Sequence, residues 1–194
     1  MTSYGVEEVV LSAIDQEYLA DRVMTKLGWV CLKNEDYEIG PKYLISFNYP
    51  TESNEYSYIE QFIRTADPDL VRDFYRRCNG LSIFGDAFVV PGVRFDTGTL
   101  DGLDYFNIPI DFMVLGGIDL PEHCPVEGFQ IGESHLSIHG NTKKIYDVVD
   151  SKGRIISGLF DESDVVSELF TEVPQWLEKR IVDAQKAFAQ TFRV

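Results

Sequence analysis

The sequence predicts an α+β fold, a mostly antiparallel sheet flanked by N-terminal and C-terminal helices. Three stretches carry that expectation. Residues 67–88, "DPDLVRDFYRRCNGLSIFGDAF", read as a helix, a stop and a strand. Residues 143–160, "KKIYDVVDSKGRIISGLF", read as a hairpin turning at Asp150 to Gly153. Residues 174–192, "PQWLEKRIVDAQKAFAQTF", keep Leu177, Ile181, Ala184 and Phe188 on one helical face.

Taken in order, "VEEVVLSAIDQEYLADRVMTKL" places Val10, Ile14, Val23 and Leu27 at helical spacing, so a first amphipathic helix is expected over 6–27. "WVCLK" and "YLISFNY" are short β-prone runs separated by the turn-rich "NEDYEIGP". Asp67 suits an N-cap, and Pro68 follows where a missing N–H costs nothing. Leu70, Phe74 and Cys78 then form one apolar stripe. Gly80 ends this helix, because glycine takes the left-handed conformation cheaply, and "LSIF" starts a strand. Gly92 to Pro109 is rich in Gly, Asp and Thr and reads as a long irregular connection. "DFMVLGGI" and "FQIGESHLSI" read as strands, and "DVVSELFTEV" as a helix capped by Asp161 or Ser163 before the closing helix begins at Pro174. No repeat, low-complexity run or linker divides the chain, so residues 1–194 are expected to form a single domain. With 44% hydrophobic and 13% aromatic residues it can bury a substantial core.

Charge is the strongest compositional signal. The 32 carboxylates against 17 Lys and Arg give a net charge of −15, and they are unevenly spread. Between Phe95 and Thr142 lie Asp96, Asp101, Asp104, Asp111, Asp119, Glu122, Glu127 and Glu133 with no Lys or Arg; Ile155 to Glu178 holds Asp161, Glu162, Asp164, Glu168, Glu172 and Glu178, again with none. Such a field repels nucleic acid and anionic membranes. No segment is long and apolar enough to span a bilayer, and "MTSYGVEEVV" lacks a basic region followed by an apolar core. Three cysteines, Cys31, Cys78 and Cys124, are odd in number and widely spaced, which fits reduced thiols in a cytoplasmic protein.

Catalytic patterns are sparse. His123, Cys124, His135 and His139 lack the compact paired spacing of a zinc site. Cys78 sits on the stripe with Leu70 and Phe74, as a core thiol does. "LGGI" and "GESHLSIHG" lack the spacing of a phosphate loop, and Asp161-Glu162 would need shifted pKa values for acid–base work. No cofactor or metal is expected.

The succession "DPDLVRDFYRRCNGL", "FQIGES", "YDVVDSKGRII" and "DVVSELFTEVPQWLEKRI" resembles the SUKH superfamily, the Smi/Knr-type domain, over residues 58–181; residues 1–57 would supply an N-terminal helix and strands of the same domain. The counterparts of the family's short motifs are Asn79-Gly80, Ile131-Gly132 and Ser167-Glu168-Leu169-Phe170, whereas "ESHLSIHGN" stands where many members have an Asp/Gly-rich bend. The resemblance implies a binding module without enzyme chemistry. Bacterial members resemble immunity proteins that neutralise a polymorphic toxin, often a nuclease, and fungal and animal members act as scaffolds. An acidic protein competes well for the basic surface a nuclease needs for phosphate. The expected contact set is therefore Asp96, Asp101 and Asp104 in the irregular connection, with Glu122, Glu127 and Glu133 nearby, and the cognate partner a basic toxin. A second candidate surface is the tyrosine-rich "FNYPTESNEYSYIEQF". A regulatory scaffold with a non-toxin partner is the alternative, and a small-molecule or metal-dependent enzyme the third.

Overall fold

The computed structural model describes residues 5–33, 43–50, 63, 66–85, 87–93, 120, 123–138, 141–161 and 164–191. Helices α1 (Val6–Ala13) and α2 (Gln16–Leu19) precede strands β1 (Val23–Met24), β2 (Gly28–Lys33) and β3 (Tyr43–Asn48). Helix α3 (Pro68–Tyr75) leads into β4 (Leu81–Ile83) and β5 (Phe88–Val90); β6 (Gly128–Ile138), β7 (Asn141–Asp150), β8 (Ile155–Asp161), β9 (Asp164–Phe170) and α4 (Val173–Thr191) follow. Among the described residues nine strands form one sheet in sequence order, every neighbouring pair antiparallel. The α+β fold with an antiparallel sheet and flanking helices is thus the observed one.

Alternation along the strands assigns one face to the main core. Trp29 and Cys31, Ile45 and Phe47, Leu81 and Ile83, Phe88 and Val90, then Phe129 and Val149 stand in register and bury against Val6 and Val10 of α1, Phe74 of α3 and Trp176, Leu177, Ile181 and Ala184 of α4. A smaller cluster, Val148, Ile156 and Phe160, buries on the opposite face with Leu120, Cys124, Val126 and Tyr146 against it.

The corner after α3 is built as the sequence predicts. Asp67 Oδ1 accepts the Asp69 and Leu70 amides at 2.9 and 3.3 Å, and Pro68 opens the helix. Asn79 then does the work of a strand: its amide donates to Val93 O at 3.1 Å, its Oδ1 accepts the Val93 N–H at 2.8 Å, and its backbone N–H bonds Asn48 O at 2.9 Å. Gly80 has φ +94°, and a Cβ there would lie 2.9 Å from both Gly92 N and Val90 O. The β4–β5 turn carries Phe84 at φ 52°, a conformation costly for a bulky residue; its ring is stacked on Phe188 at 4.4 Å, which holds it there.

The hairpin turn at Asp150 to Gly153 is likewise as expected. Asp150 Oδ1 accepts the Lys152 and Arg154 amides, each at 2.9 Å, and Oδ2 takes Arg154 Nε at 2.8 Å. Desolvation pushes this carboxyl up, but the bonds from Arg154 and the Lys152 amide outweigh it and hold the group below its ordinary value. Its contribution to stability is therefore complete above the ordinary carboxylate range and is lost as pH falls through the lowered native value. Asp150→Asn should cost about 1–2 kcal/mol at neutral pH and progressively less as pH falls below the ordinary carboxylate range, a trend that urea unfolding across that range will measure.

One expected helix is shorter than the sequence suggests, and another is replaced by a strand. The long first helix stops at Ala13: Ile14 is extended, buried and packed in the core, and the Asp15 N–H donates to Gln185 Oε1 on α4 at 3.0 Å. Val23, assigned to the helical stripe, instead pairs with Val30 across β1 and β2 and is 43% exposed. Tertiary partners thus override a helical periodicity that Asp15 interrupts. "DVVSELFTEV" supplies β9, because Val165 and Val166 favour a strand and the β8 edge offers a partner for all seven residues from Asp164 to Phe170. The strand expected at "DFMVLGGI" and the irregular connection beyond Val93 lie outside the described residues.

Candidate functional site

The six expected contact carboxylates do not form one described surface. Asp96, Asp101, Asp104 and Glu122 lie outside the described residues, as does most of the tyrosine-rich stretch. Glu127 is exposed just before β6. Glu133 is a correction: it is 1% exposed and already engaged, with Lys144 Nζ 2.7 Å from Oε2, His135 Nε2 3.0 Å from Oε1, and Gln130 Nε2 donating to Oε2 at 2.9 Å.

The cause is a β-bulge between Gln130 and Gly132. Without it Glu133 would share the face of Phe129 and Ile131 and enter the apolar core. The extra residue reverses the alternation, so Glu133 turns to the other face, beside the cross-strand pair His135 and Lys144. Lys144 also lies over the Tyr146 ring at 5.0 Å. A carboxylate held by two cationic-capable groups and an amide is anchored in its own sheet, and a partner would have to break those bonds to use it.

On the helical face a second charged group is consumed in the same way. Arg180 of α4 sets Nε 3.0 Å from Asp147 Oδ1 and Nη2 3.3 Å from Glu168 Oε2, and Ser157 donates to the same Asp147 oxygen. Burial pushes the Asp147 carboxyl up, and Arg180, Ser157 and the nearby Trp176 indole pull it back. The Asp147 Oδ2 and Trp176 Nε1 atoms fall short of full hydrogen-bond geometry.

Among the described residues the cysteine thiols are held as weak nucleophiles. Burial raises the thiol of Cys31 to about 11 and also raises those of Cys78 and Cys124, so the nucleophilic thiolate is scarce at neutral pH. All three are free cysteines; Cys31 and Cys78 are buried, as the sequence predicts, whereas Cys124, expected to be buried as well, is half-buried. His123 is exposed, His135 belongs to the Glu133 group, and His139 lies outside the described residues. Among the described residues no group of three or more His, Cys, Asp or Glu is gathered as a metal site would require.

The second acidic run lies at the end of the sheet, on β8, β9 and the start of α4. Glu172 and Glu178 are exposed, and Glu168 is half-exposed between Lys179 and Arg180. Leu169, beside it, is one of three large hydrophobic side chains left exposed among the described residues, the others being Val23 and Met24 on β1. Reading 164–173 as a helix hid this feature; the adjacent Val165 and Val166 were the signal for a strand.

No family model, curated protein or solved structure matches this chain. The motifs behind the SUKH resemblance occupy three junctions: Asn79-Gly80 the corner after α3, Ile131-Gly132 the bulge in β6, and Ser167 to Phe170 the end of β9 before α4. Among the described residues no helix is long and apolar enough to cross a membrane.

Proposed function

We propose that this chain is a SUKH-like cytoplasmic binding protein that neutralises a cognate toxin, a basic nuclease, by covering its phosphate-binding surface. One observation carries the reading: a net charge of −15 concentrated in two runs that contain no Lys or Arg. Surface carboxylates at that density contribute little to stability, yet they raise the rate at which a basic protein is captured. The buried ionisable groups support it from the other side, since Glu133, Asp147 and Asp150 are spent on holding strands and helices together. The surface is left for recognition, and function of this kind is carried by side chains that differ with the partner.

An immunity gene is normally adjacent to the gene of its toxin. The product of the adjacent gene, expressed alone, should arrest growth, and coexpression of this chain should restore it. Arrest that coexpression leaves untouched, or an adjacent product without toxicity, would overturn the assignment.

A further inference from the structure

β9 ends the strand order, so among the described residues its Asp164–Phe170 backbone is paired on one side only, with β8. An edge strand presents a row of unpaired N–H and C=O groups, which proteins usually blunt with lysine, proline or shortness. β9 is seven residues long and contains neither Lys nor Pro. The other edge is different: β1 has two residues, and Asp21, Arg22 and Lys26 around it mix signs.

Leu169 is 57% exposed and stands in register with Ile156, at the margin of the Val148, Ile156 and Phe160 cluster, whereas the preceding Glu168 turns toward Arg180 on the helical face. The surrounding run from Ile155 to Glu178 is acidic throughout. That charge selects the occupant. A second copy laid edge to edge would bring one acidic run against another, which is unfavourable. An extended segment alternating Lys or Arg with apolar residues would complete the backbone ladder, cover Leu169 and bring cations to the carboxylates.

We propose that β9 is a docking edge, to which an extended basic segment of the partner protein adds as a further strand. The proposal rests on the reading that the partner is basic, and it names the surface that reading leaves open. The probe is an acetylated nine-residue peptide alternating Lys and Val, set against the same peptide with its central Val replaced by Pro. Amide hydrogen exchange is followed along the intact chain, with affinity measured in parallel.

The alternating peptide should slow exchange within 164–170 and bind about tenfold more tightly than the proline peptide. Leu169→Lys should weaken it by a similar factor without moving the unfolding midpoint, because the side chain is exposed. Equal binding of the two peptides with no protection of β9 overturns the docking edge and leaves the basic-partner reading standing. Failure of both to bind overturns both. Protection of β9 that grows with protein concentration in the absence of peptide overturns the proposal in favour of self-pairing.

Discussion

Arg180→Ala should destabilise the protein by about 3–5 kcal/mol, the largest loss expected of any single substitution at a charged position. Arg180 is 2% exposed, and its guanidinium joins α4 to Asp147 on β7 and Glu168 on β9, with Asp183 3.6 Å from Nη1 and the Phe170 ring 5.8 Å away. Removing it strands the fully buried Asp147 carboxylate. The pH dependence discriminates this cause from simple loss of packing. Without Arg180 the native pKa of Asp147, already raised by burial, rises further above the unfolded value. The folded variant then binds the extra proton, so it is most stable below the unfolded pKa and loses stability as pH rises through the native one. Urea unfolding of Arg180→Ala should show a deficit that widens as pH rises above the raised native value of the wild-type Asp147 carboxyl, beyond the ordinary carboxylate range. The double variant Arg180→Met with Asp147→Asn should recover most of the loss, since replacing both members of a buried pair is often close to neutral. A deficit independent of pH would mean that packing of the arginine stem matters more than the charge it neutralises.

The second large effect is expected at the corner. Asn79→Ala removes both side-chain bonds to Val93 and leaves a buried N–H and C=O without partners, at a cost of about 3 kcal/mol. Gly80→Ala adds a Cβ to a residue at φ +94° and drives it against the backbone of Val90 and Gly92, so about 2–3 kcal/mol is expected there. Thermal or urea unfolding reads both. Asn79→Asp keeps the acceptor for the Val93 N–H but sets a buried carboxylate oxygen against Val93 O, so it should be at least as destabilising as Asn79→Ala at neutral pH and should recover as pH falls and the carboxyl becomes a donor.

These two sites differ in how they could be read beforehand. The corner was legible because helix capping, a left-handed glycine and the change from helical to alternating apolar spacing are local, and all fall within residues 67–83. The β7–β8 hairpin was legible for the same reason. The Arg180 pair was not: Asp147 and Arg180 are 33 positions apart, and only the docking of α4 on the sheet brings them together. β9 was misread because "DVVSELF" carries its information in a pairing partner, while its own periodicity suits a short helix. The first helix failed at Ile14 and Asp15, where a contact to Gln185 near the other end of the chain decides the backbone. Glu133 shows the limit for the site itself. Its turn away from the main core and toward Lys144 depends on a one-residue bulge, and a carboxylate in an acidic stretch looks the same in sequence whether it faces a partner or a lysine on the next strand.

Under the proposed function, the acidic surface captures a basic protein by charge. It is tested by the association rate with the product of the adjacent gene, the proposed toxin, measured by stopped flow at low and moderate salt for the wild type and for Asp101→Asn, Asp104→Asn and Glu122→Gln combined. Binding should be fast at low salt and fall steeply in rate as salt rises, with a slower, flatter response in the triple variant. Binding whose rate is indifferent to salt and to all three substitutions would contradict it.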